Sequence, residues 1–223
     1  MLGIDNNLES NARPEIAPGR DSPEEPRWAG LVSGILHPFT LPPVAFLVLY
    51  LAAAAGGFSA TPGQLSAGLS VAILFASALP LVAMVILARR GVIDSVDVSD
   101  RTKRAVPLAL SVLSYLIGLG LLVLIGAPLL VQGLMLAYAL NTFVAGIVTL
   151  WWKISVHAIG VATPLVILTA AVGPAMLPVF ALLALIGAAR VALDRHSTLQ
   201  VVAGTLLGIL LTTGEVLLLS SLL

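Results

Sequence analysis

The chain has 223 residues, 59% of them hydrophobic and 10% charged, with equal numbers of acidic and basic groups and a mean hydropathy of +1.07. A soluble core of ordinary composition cannot hide that much apolar surface, so the sequence reads as a membrane protein. Zero net charge argues against nucleic acid as a partner, and the lack of cysteine excludes disulfide and thiolate chemistry.

Residues 1–27 are polar, rich in proline and acidic groups, and contain no apolar run. They predict a disordered tail. The basic start and apolar middle of a secretory signal are missing, so the tail is expected to be retained and not translocated. Residues 28–223 form one transmembrane domain with seven apolar segments: 28–55, 67–88, 107–125, 128–150, 158–172, 174–193 and 199–222. None alternates with the period of two that a barrel strand requires. The expected fold is therefore all-α, a polytopic transmembrane helix bundle of about seven spans, or six if one short segment is re-entrant. The fifth segment is short for a bilayer. A single helix over 158–193 would be about 54 Å long, almost twice the hydrocarbon core, and Gly173-Pro174 is a natural break. In the first segment, "HPFTLPP" should break or kink the helix at His37.

With seven spans, the tail and the loops after spans two, four and six share one side, and that side holds all 11 Lys and Arg residues. The opposite linkers, such as "GGFSATPGQ" and "GAP", carry none. The positive-inside rule makes the charged side cytoplasmic, with the C-terminus outside.

Three loops on the charged side hold most of the chemistry: "DSVDVSDRTKRAVP", "WWKISVHA" and "ARVALDRHSTLQ". Single basic residues at helix ends usually anchor topology by reaching toward the headgroups. Histidines anchor poorly, yet His157 opens span five and His196 opens span seven. Ionisable groups at membrane depth are expensive and default to function. Five residues separate Arg190 from His196 across a tight turn, so guanidinium and imidazole can meet. Gln200 lies one helical turn beyond His196, where its carbonyl can accept an imidazole N–H and fix the tautomer. Ser197 or Thr198 can cap the same helix.

"RVALDRHSTLQVVAG" resembles the third motif of the type 2 phosphatidic acid phosphatase (PAP2) superfamily, Ser-Arg-x5-His-x3-Asp, through Arg190, His196 and Gln200. Ala189 stands where the family has Ser, and Gln200 where it has Asp. "KISVHA" resembles the second motif, Pro-Ser-Gly-His, through Ser155 and His157, and "DRTKRAVP" loosely echoes the first, with Arg104 as its arginine. Together with "ILHPFTLPP", the motifs look like a divergent prokaryotic branch of the superfamily, covering roughly residues 30–215.

The resemblance implies a PAP2-like core in the cytoplasmic membrane and a lipid-metabolising phosphatase acting on a membrane lipid phosphate or a polyprenyl phosphate. His196 would be the nucleophile that forms a phosphohistidine. His157 would be the general acid and later base, with Gln200 orienting His196. Arg104, Arg190 and Ser155 would clamp the phosphate, helped by Lys153 and Arg101. The family requires no metal or other cofactor. Two alternatives remain: a catalytically weakened relative that binds lipid phosphate, since Gln200 carries no charge, and a Mg²⁺-dependent membrane prenyltransferase using Asp94, Asp97 and Asp100. The prenyltransferase reading lacks a second aspartate cluster, and loop acids pairing with Arg101 and Arg104 explain the three aspartates more simply. Glu215, about 28 Å along the helix from His196, should lie near the opposite surface. It and His37 raise transport as a third class, which the lack of inverted repeats weakens.

Overall fold

The computed structural model describes residues 25–56, 61–98 and 100–221, and all its regular elements are helical. The tail expected over 1–27 lies outside these residues up to position 24. Its last part is ordered by contact: α1 (Arg27–Ile35) starts at Arg27, and Glu25 pairs with Arg195 at 2.8 Å.

The first apolar segment is broken where "HPFT" predicts. After α1 the chain turns through residues 36–40 into α2 (Leu41–Ala55), with Pro42 in the first turn, where its missing N–H costs nothing. Thr40 Oγ1 donates to the Ile35 carbonyl at 2.6 Å, capturing an acceptor that α1 leaves open.

The second segment is one rod, α3 (Pro62–Ile73), a π turn over Leu74–Ala78 and α4 (Leu79–Arg89). Thr61 and Gln64 start it with a capping box. The π turn has a local cause. Leu79 N–H reaches back five residues to the Leu74 carbonyl, so the next acceptor in that pattern, Phe75, faces Pro80, which has no N–H. Ser114 Oγ from α5 (Ala105–Leu124) donates to the Phe75 carbonyl at 2.7 Å.

A short loop with Gly126 at φ +66° folds α6 (Leu129–Thr149) back on α5. Next comes α7 (Val156–Val172), with 11 of its 17 residues buried, including residues on every face. An all-round apolar helix of this kind belongs at the centre of a bundle. Gly173, at φ +93°, ends α7, and a 3₁₀ stretch over Pro174–Phe180 leads into α8 (Ala181–Ala192), so the break expected at Gly173-Pro174 is present. Ser197 and Gln200 cap α9 (Thr198–Ser220) with a second capping box.

Five of these stretches are long and apolar enough to cross a membrane: Pro62–Arg89, Arg101–Leu124, Leu129–Thr149, Pro174–Ala192 and Thr198–Ser220. Leu41–Ala55 and Val156–Val172 are shorter apolar helices. Side chains such as Leu31, Leu124, Leu210 and Leu217 stand exposed on the outside, as a lipid-facing surface requires. The main core packs Phe46, Leu49, Leu122, Leu134 and Met135, all fully buried.

Candidate functional site

Two glycines of α9 bring the histidine-bearing segments together. A Cβ on Gly204 would sit 2.6 Å from the Ser155 carbonyl, and one on Gly208 would sit 2.8 Å from Ala162 Cβ. Spaced four apart, they let α9 lie directly on α7, the small-residue packing that membrane helices use. At the top of this seam the Ser155 backbone N–H donates to the Gln200 carbonyl at 3.3 Å.

Beside the seam a cavity of about 790 Å³, its open mouth included, runs into the bundle. His37, Asp97, Arg104, His157, Arg190 and His196 all line it. Arg104, His157, Arg190 and His196 are each at most 6% exposed, so charge placed here is poorly screened by solvent.

His196 Nδ1 lies 3.1 Å from Gln200 Oε1. The same oxygen accepts the Ser197 backbone N–H at 3.2 Å, which fixes it as oxygen and not nitrogen. His196 therefore carries its proton on Nδ1 and presents the Nε2 lone pair. Burial, followed by the charges of Arg104 and Arg190, pushes the His196 pKa down to about 3. The ring is a free base near neutrality.

His157 Nε2 is buried without a partner, and Nδ1 lies 3.8 Å from Asp97 Oδ1. Its ring meets His37 edge-on, with centroids 4.8 Å apart. Arg190 Nη2 binds Asp97 at 2.9 Å, Nη1 donates to Ser33 Oγ at 2.8 Å, and Nε is left buried without a partner. Arg104 donates from Nε to the Val98 carbonyl at 2.8 Å and from Nη1 to the Ile154 carbonyl at 3.0 Å. That Val98 sits at φ +33°, a region β-branched residues avoid.

Four of the residues singled out in the sequence, Arg104, His157, Arg190 and His196, thus meet at one cavity. Gln200 stands behind His196 instead of lining the space. Ser155 is fully buried and uses its hydroxyl as the α7 N-cap, accepting the Ala158 N–H at 3.4 Å. Lys153 is outside the lining, yet burial, then Arg104 and Arg190, lowers its pKa, so it feels the same cluster. Arg101 is exposed and donates to the Leu150 carbonyl at 2.8 Å.

The aspartates do not pair with Arg101 and Arg104 as the simpler reading expects. Asp94 pairs with Lys103, Asp97 with Arg190, and Asp100 accepts the Thr102 N–H at 2.9 Å. Among the described residues the three acids do not converge as a metal-holding group. Asp97 and His37 join the site without having been assigned to it. His37 has a local signal, its place at the Pro38 break, whereas nothing in the residues around Asp97 announces its partners.

No protein-family description, curated protein or solved structure matches the chain.

Proposed function

We propose that this chain is a membrane-embedded phosphatase of the type 2 phosphatidic acid phosphatase kind, hydrolysing a lipid or isoprenoid phosphate through a phosphohistidine on His196. The observation that carries this reading is the meeting of His157, His196, Arg104 and Arg190 on one cavity, although the two histidines are 39 residues apart in sequence. His196 Nε2 attacks phosphorus, the N–P bond forms, and the P–O bond to the lipid breaks. His157, which takes up a proton as the phosphate anion enters and offsets the charges of Arg104 and Arg190, gives that proton to the leaving oxygen. Water then attacks the phosphohistidine with His157 as base, releasing inorganic phosphate and restoring the imidazole. Arg104 and Arg190 hold the non-bridging oxygens, where charge must be stabilised in the transition state. Asp97 supplies the carboxylate that Gln200 lacks, but to His157 and Arg190 instead of to His196.

In this reading the bundle has seven crossings: α1 with α2, the α3–α4 rod, α5, α6, α7, the stretch from Pro174 through α8, and α9. The site opens on the cytoplasmic face of a prokaryotic membrane, at headgroup level. Gln200 favours one second reading, a relative that binds lipid phosphate and turns it over weakly or not at all. The deciding experiment is phosphate release by the purified protein from phosphatidate, monoacylglycerol phosphate and polyprenyl phosphates, with and without chelator. Release that survives chelation and is lost in His196→Ala is expected. Binding without release supports the second reading, and turnover unchanged in His196→Ala overturns the nucleophile assignment.

A further inference from the structure

The cavity does not end at the charged rim. About 9–12 Å inward, counted at 1.5 Å per residue from His157 along α7 and from Thr149 along α6, it reaches Thr163 and Asn141, with Tyr138 one turn deeper. Asn141 is 1% exposed. Its amide nitrogen donates at 2.8 Å to both Thr163 Oγ1 and Thr212 Oγ1. Thr163 spends its own hydroxyl proton on the Ile159 carbonyl at 2.9 Å, so it can only accept from Asn141, and the amide orientation is fixed. Asn141 Oδ1 is thereby left as a buried acceptor with no partner, and Tyr138 OH is likewise buried and unpartnered. Membrane interiors tolerate few such groups, because each forfeits hydrogen bonds worth keeping.

We infer that Asn141 Oδ1, with Tyr138 OH, is a specificity subsite that receives a hydrogen-bond donor carried by the part of the substrate that lies inward of its phosphate. The substrate class is then a phosphorylated amphiphile bearing a hydroxyl or amide N–H roughly five to seven bonds from phosphorus, the reach left when one hydrogen bond is taken from that depth, not an all-hydrocarbon polyprenyl phosphate. This rests on the phosphatase reading for the location of the phosphate but not for the existence of the subsite. A site built around a donor rejects the analogue without one, because its own acceptor is then left unpaired.

The test compares a long-chain alkyl phosphate carrying a hydroxyl on its fourth carbon with the O-methyl ether of the same lipid, which keeps the phosphate and chain and removes the donor. Affinity is measured on His196→Ala protein and phosphate release on wild type, so the subsite is read even where no turnover occurs. The free hydroxyl is expected to improve affinity at least roughly tenfold. Asn141→Leu should abolish that preference, while Thr212→Val, which touches the same amide from outside the cavity, should retain it. Equal binding of both lipids, binding of neither, or a preference that survives Asn141→Leu overturns the inference. Loss of turnover with the binding preference intact overturns only the phosphatase reading. Should Asn141→Leu fail to fold, Tyr138→Phe serves, expected to reduce the preference without abolishing binding, and a preference unchanged in it counts against the subsite.

Discussion

Asp97 answers two cations and a histidine at once, 2.9 Å from Arg190, 3.8 Å from His157 and 3.9 Å from Arg195. Its carboxylate occupies the ground that a phosphate would contest. Asp97→Asn should therefore lower thermal stability, by about 1.5–3 kcal/mol if the charged hydrogen bonds to Arg190 are lost, while tightening the binding of inorganic phosphate. A titration showing weaker phosphate binding would make Asp97 part of the anion site and not its competitor. His196 carries a pH signature. Its folded pKa of about 3 lies below the unfolded value near 6.5, so the unfolded chain binds a proton that the folded chain refuses. Stability is complete above roughly pH 6.5 and declines as pH falls toward 3. Melting temperature should consequently drop less between pH 7 and pH 4.5 in His196→Asn than in wild type. His196 and Gln200 were legible because one helical turn joins them. Asp97 was not assignable, because its partners sit on α8 and α7, and no spacing along the chain encodes that meeting.

At the scale of elements, proline and glycine wrote most of what could be read. The break at "HPFT" and the end of α7 at Gly173 follow from residues that cannot continue a helix. The π turn was hidden, since Pro80 announces a fault but not that Ser114, on another helix, repairs it. Ser114→Ala leaves the Phe75 carbonyl without its donor and should cost about 1–3 kcal/mol, measured by thermal unfolding in detergent. The α7–α9 seam is equally specific. Gly204→Ala places a Cβ against the Ser155 backbone and should destabilise by about 1–3 kcal/mol and depress turnover. Gly214→Ala, on the same helix with nothing within 4 Å, should leave both intact or gain slightly.

Across the whole molecule, composition pointed to a membrane protein and the absence of period-two alternation to helices, because only helices or closed barrels satisfy the backbone in lipid. Span register and cavity depth were beyond it: α7 is apolar on all faces, so no periodicity shows which side meets α9 or Asn141. Orientation is directly testable in a chain without native cysteine. Ser95→Cys and Asp194→Cys should be labelled by an impermeant maleimide from the cytoplasmic side, and Gln64→Cys from the other. Labelling of Ser95→Cys and Gln64→Cys from the same side would refute the proposed topology.

The Ser155–Gln200 backbone bond has a practical corollary. The two imidazoles keep their spacing because neighbouring helices are riveted at that point, not because the intervening polypeptide holds them as a tether. A few residues spliced in after Gly173 should thus be absorbed far from the rivet, leaving the spacing of the two histidines untouched, whereas an equally small splice between His196 and Gln200 would dismantle it.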